Sequence, residues 1–172
     1  IFDGYWEDIG SARAFFEANL KLTDPVPPFN FFDERNPIFG RHSYLPASKL
    51  VSCHIENIIV AEGCMLDRVQ ARRCVIGERS RISHDTVLEN VVMMGGDAYG
   101  DRMIEAPDMP PIGIGANCTI CNTIIDKNAR IGDNVTIDPA NKNHNYTKGG
   151  IVVKDGIAVV VKNTTVPDGF QF

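Results

Sequence analysis

The chain has 172 residues, 44% of them apolar, which is enough for one ordinary core plus a small appendage and excludes wholesale disorder. Its 17 basic and 22 acidic residues give a formal net charge of -5 with the signs interspersed, so it lacks the clustered basic face that nucleic acid demands. No apolar run approaches the roughly 18 residues of a membrane helix, and no membrane partner is expected.

In chain order, "IFDGYWEDIG" is an apolar, aromatic run that begins without Met, and it reads as a strand entered from upstream in a longer protein. "SARAFFEANLKL" follows as a short amphipathic helix, with Ser11 as N-cap and Phe15, Ala18 and Leu22 on one face. In "TDPVPPFNFFDERNP", Pro25, Pro27 and Pro28 forbid helix and favour a stiff, extended connector. Residues 1–23 are therefore read as the tail of a preceding domain, 24–43 as a linker and 44–172 as a separate unit.

That unit is repetitive. Aliphatic side chains recur every sixth position at Val60 and Leu66, at Ile76, Ile82 and Leu88, at Ile114 and Ile120, and at Ile125, Ile131 and Ile137. Small or acidic residues hold the intervening frame, which is the signature of a hexapeptide-repeat β-helix. Each six-residue block should form one flat face and three blocks one triangular coil, with the aliphatic positions stacked in an axial column. One coil buries too little by itself, so stacking must supply the stability. The frame is expected to break after Leu66 and to loop out at "MMGGDAYGDRMIEAPDMPP". "GGIVVKDGIAVVVKNTTVPDGFQF" reads as the final coils.

Chemistry-bearing residues are sparse. Five cysteines (Cys53, Cys64, Cys74, Cys118 and Cys121) form an odd set that suits a reducing compartment. Cys118 and Cys121 fall at small positions of the repeat, without the second pair a zinc site requires. Many hexapeptide solenoids are acyltransferases with a His base, and His84 occupies an outward position; a solitary surface His is more often merely solvated. The remaining candidates are cations that an anion would seek: Lys127, Lys162 and Arg130, although an exposed Lys on a β face commonly serves solubility alone.

Seven stretches in order, "GYWEDIG", "FFEANLKLTDPVPPFNFFD", "YLPASK", "MMGGD", "PIGIGANCTI", "IIDKNARIGDNV" and "VVVKNTTVPDG", resemble the C-terminal part of ADP-glucose pyrophosphorylase (glucose-1-phosphate adenylyltransferase) of the plant and cyanobacterial type. The resemblance implies a mainly β fold, a left-handed parallel β-helix preceded by a short strand-helix and the Pro-rich linker, with residues 1–23 closing the nucleotidyltransferase domain. It implies a reaction of ATP with glucose 1-phosphate, giving ADP-glucose and diphosphate with Mg²⁺, and places the catalytic residues upstream, so that this segment alone is inactive. By the same resemblance Asp8 helps to hold the metal. Lys127 and Lys162, with Asp126 beside the first, bind phosphate-bearing effectors such as 3-phosphoglycerate and phosphate. An Arg usual before the "YLPPSK" motif is replaced by Ser43, and Arg41 is the nearest substitute. The implied partners are the protein's own catalytic domain and other subunits of a homo- or heterotetramer, in a plastid stroma or bacterial cytoplasm. Two other readings are a stand-alone hexapeptide acyltransferase and a non-catalytic scaffold subunit.

Overall fold

The computed structural model describes residues 3–40, 43–99, 109–140, 142 and 145–172. One helix, α1 (Ala12–Lys21), precedes a stack of coils. The first coil carries β1 (Lys49–Val51) and β2 (His54–Val60), the second β3 (Met65–Asp67) and β4 (Gln70–Ile76), and the third β5 (Arg81–Ile82) and β6 (Val87–Met93). Residues 100–108, within the stretch expected to loop out, lie outside the described residues; beyond them come β7 (Gly113–Ile114), β8 (Thr119–Ile125), β9 (Arg130–Ile131) and β10 (Thr136–Ile137). The chain ends through β11 (Thr147–Lys148), β12 (Ile151–Lys154), β13 (Ile157–Val160) and β14 (Thr165–Val166).

Successive coils pair in parallel: β1-β3-β5-β7-β9-β14 form one wall, and β2, β4, β6 and β8 form two further walls. The two arise from one set of strands because each seven-residue strand bends in its middle, at Asn57, Arg73, Asn90 and Asn122, where φ is 51°, 55°, 51° and 46°. A flat strand cannot turn a corner without a left-handed residue, and Asn tolerates that conformation best among residues with a side chain. The expected column is present: Leu66, Ile76, Ile82, Leu88, Ile114, Ile120, Ile125, Ile131 and Ile137 are all 3% exposed or less. Val60 is half-buried, because its strand ends the sheet and no further strand pairs with it among the described residues.

Three details depart from the sequence expectation. The repeat is not uniformly six: Lys49 pairs with Met65, 16 residues on, and Gln70 with Val87, 17 on. The one-residue corners inside the long strands shorten a coil below three full blocks. The six-residue step does break after Leu66, as expected: Arg72, six residues on, is exposed, and Ala71, five on, takes the buried place in the column before Ile76. At the other end, β12 and β13 are an antiparallel hairpin, turned at Asp155 and Gly156 with φ 53° and 77°. Asp-Gly is the sequence of a tight hairpin turn, so only β13 and β14 run on as coil strands. Residues 3–10 join no ladder; the Lys21 ammonium holds both Glu7 carboxylate oxygens at 3.1 Å.

Helix α1 forms where expected. Ser11 caps it, its hydroxyl accepting from the Ala14 amide at 3.1 Å. The face it buries differs slightly from the one read in sequence, being Phe16, Ala18 and Leu20. Outward residues of the third wall (Val75, Val92, Ile124 and Val159) would otherwise be an exposed apolar row, and α1 covers them, with Phe16 and Leu20 packed on Val92, Ile124 and Ile157. Residues 24–40 contain neither helix nor strand, as their prolines require. All five cysteines are free thiols, and burial pushes the Cys74 thiol up to about 11.

A candidate anion site on one edge of the solenoid

After the third wall each coil turns back toward the first, and these turns stack into one edge. Val60, Ile76, Met93, Ile125 and Val160 are in register, so the second residue beyond each lies in a single row: Glu62, Glu78, Gly95, Lys127 and Lys162. Backbone bonds fix the row. The carbonyl of each of the first four accepts from the residue one coil further on: Arg79 to Glu62 at 3.2 Å, Gly96 to Glu78 at 2.9 Å, Asn128 to Gly95 at 3.1 Å and Asn163 to Lys127 at 3.0 Å.

The edge is thus electrically graded, with two carboxylates on the early coils, no side chain in the middle and two ammonium-bearing residues on the late coils. Lys127 and Lys162 are adjacent in the stack, which sets their backbones about 5 Å apart. The Lys127 ammonium bonds Asp97 Oδ1 at 2.9 Å, and Asn128 Nδ2 bonds Asp97 Oδ2 at 2.9 Å. Asn128 and Asn163 also stack, side chain to side chain at 3.3 Å. These hydrogen bonds, Asn128 first and Lys127 next, with the charge of Lys162 adding to them, hold the Asp97 carboxyl below the ordinary aspartate range. Lys162 is exposed and has no hydrogen-bond or ion-pair partner among the described residues.

Other residues singled out in the sequence fall as follows. Asp126 caps the same turn, its carboxylate accepting from the Lys127 amide at 2.7 Å. Arg130 has already passed to the first wall, where its guanidinium donates to the Pro110 carbonyl at 2.9 Å. Arg41 lies outside the described residues. Ser43, which stands where the family pattern has an Arg, is on the graded edge itself: its hydroxyl bonds both Glu78 carboxylate oxygens, at 2.9 and 2.8 Å. Asp97, Asn128 and Glu78 were missed in sequence. Asn128 was visible within "DKNARIG", but Asp97 follows the loop's first glycines, where no periodicity says which way the chain returns.

Asp8 is an exposed carboxylate just ahead of α1, and among the described residues no group of three His, Cys, Asp or Glu side chains is placed to hold a metal. The residues present do not themselves make a Mg²⁺ site. His84 bonds Asp85 at 2.9 Å through Nδ1, but Asp85 is also held by Arg68 Nε at 3.3 Å, as suits a surface charge cluster. Cys118 is buried with its thiol directed to the Ala116 and Gly132 carbonyls, and burial raises its pKa.

Parallel coils around an aliphatic axial column agree with the family match: residues 43–170 match the GLGC left-handed parallel beta-helix domain. The chain belongs to that family, the C-terminal β-helix domain of ADP-glucose pyrophosphorylase.

Proposed function

We propose that this domain is the regulatory and oligomerisation part of glucose-1-phosphate adenylyltransferase and that a phosphate-bearing effector binds across Lys127 and Lys162. The observation that carries this reading is the register of the two lysines on adjacent coils of one edge. Two long ammonium-bearing side chains rooted on adjacent coils can reach the oxygens of one phosphate, and charge-assisted bonds to an anion are about twice as strong as neutral ones. Because activator and inhibitor would both present a phosphate to the same pair, they compete.

Assembly is the second half of the proposal. The first coil lies open, with Leu50, Val51 and Ile55 39%, 41% and 46% exposed along an unpaired strand edge. Trp6, Phe32 and Phe39 in the segments before it are 75%, 88% and 94% exposed. Apolar surface of this extent favours a protein partner, which we assign to the preceding catalytic domain and to neighbouring subunits of a tetramer. Asp8, beside that segment, would give one carboxylate to a Mg²⁺ site completed elsewhere, and transfer of the adenylyl group from ATP is assigned to the upstream domain. Effector control then requires the bound anion to favour one arrangement of these contacts over another.

The test is Lys162→Ala in the full-length enzyme. The expected result is an increase of about tenfold in the 3-phosphoglycerate concentration for half-activation, with basal activity retained. An unchanged activation curve would remove Lys162 from the site.

A further inference from the structure

The middle of the graded edge has no side chain of its own, and the chain supplies one from elsewhere. Gly95 occupies the slot in front of Lys127 at φ 83°, and a Cβ there would lie 2.1 Å from the Glu78 carbonyl oxygen. The slot cannot hold a residue that reaches outward. The loop leaves the coil here and folds Asp97 back over the gap. Its amide donates to Asn128 Oδ1 at 2.8 Å, and its two carboxylate oxygens take Lys127 Nζ and Asn128 Nδ2, each at 2.9 Å.

We propose that Asp97 is a built-in competitor for this site, an internal oxyanion that neutralises Lys127 until a phosphate-bearing ligand displaces it. The inference rests on the reading that Lys127 and Lys162 bind phosphate. Three features make the contact displaceable rather than structural. The Lys127 and Asp97 side chains are 44% and 55% exposed, so solvent reaches the ion pair and weakens it. Asp97 neutralises only one of the two lysines by direct contact, leaving Lys162 to attract a second anion. A phosphate dianion can bridge both ammonium groups, which the single tethered carboxylate does not do. The carboxyl is held low by Asn128 and Lys127, so it remains ionised and competes throughout the neutral range. A resident competitor raises the ligand concentration needed for occupancy, which places the response threshold under the control of one loop residue.

The experiment is calorimetric titration of the full-length enzyme with inorganic phosphate, comparing wild type, Asp97→Asn and Lys162→Ala. Asp97→Asn keeps an acceptor for Lys127 but removes the competing charge, and phosphate is expected to bind about fivefold tighter. Asp97→Ser is the second variant should the first fold poorly, with the same direction expected. If phosphate binds the Asp97 variants no tighter than wild type while Lys162→Ala loses affinity, the lysine site stands and the competitor role is overturned. If Lys162→Ala binds as wild type does, the site itself is misassigned and the competitor role falls with it. Failure of both Asp97 variants to fold would show the contact to be structural, which also overturns the proposal.

Discussion

Ile120→Asp is expected to abolish folding of the solenoid, whereas Thr119→Asp, one residue away, changes stability by no more than about 0.5 kcal/mol. Ile120 is 0% exposed and sits in the axial column between Leu88 and Ile137, its register partners on the neighbouring coils. Thr119 belongs to the same strand but points outward and is exposed. Strand side chains alternate, so the two positions differ in environment although they share a backbone. Removing the buried side chain as Ile120→Ala should cost about 2–5 kcal/mol, because the stacked column cannot collapse around the void. A carboxylate there adds a desolvation cost of several kcal/mol with no cation in the column to offset it. Since a domain is stable by only about 5–15 kcal/mol, the sum removes the folded state. Circular dichroism with urea titration measures all three variants; equal losses at positions 119 and 120 would contradict the assigned register.

The second large effect is expected from Leu20→Asp, which should detach α1 while leaving the coils folded. Leu20 is 1% exposed and lies with Phe16 against Val92, Ile124 and Ile157, a cluster separate from the axial column. Burying one Leu contributes about 2–3 kcal/mol, and a ten-residue helix has little stability without such packing. The polar ties of the helix lie at or near the surface: the Arg13 guanidinium to the Asp155 carbonyl is exposed, and Lys21 to Glu7 is half-buried. Surface pairs of this sort add little. Amide hydrogen exchange should show lost protection across Phe15–Lys21 with the protection of β4, β6 and β8 retained. Retained protection in the helix would mean that contacts other than Leu20 hold it.

How much of this was legible follows from what each feature depends on. The axial column depends on apolar periodicity, and it could be read because Ile76, Ile82 and Leu88, or Ile125, Ile131 and Ile137, keep a regular step in sequence. The coil length could not, because the one-residue corner at Arg73 or Asn122 sets it, and Arg gives no sign of a left-handed conformation. The β12–β13 hairpin was announced by Asp155 and Gly156, a turn signal outweighed by the β-branched runs on either side. At the candidate site, Lys127 and Lys162 were visible in sequence as candidate cations, but their pairing as one site came only through a resemblance. Their offset of 35 residues has no period that would bring them together without the coordinates of the hairpin between them. Asp97 was invisible for the same kind of reason, since it reaches Lys127 from 30 residues away across a loop.

The central claim, that Lys127 and Lys162 act as one anion-binding unit, is tested most directly by side-chain NMR of labelled lysines during titration with inorganic phosphate. The account predicts that the Nζ signals of Lys127 and Lys162 move together with a single shared Kd, while those of Lys49 and Lys154, on other faces of the solenoid, stay in place. Independent Kd values for the two lysines, or uniform small shifts at every lysine, would contradict it.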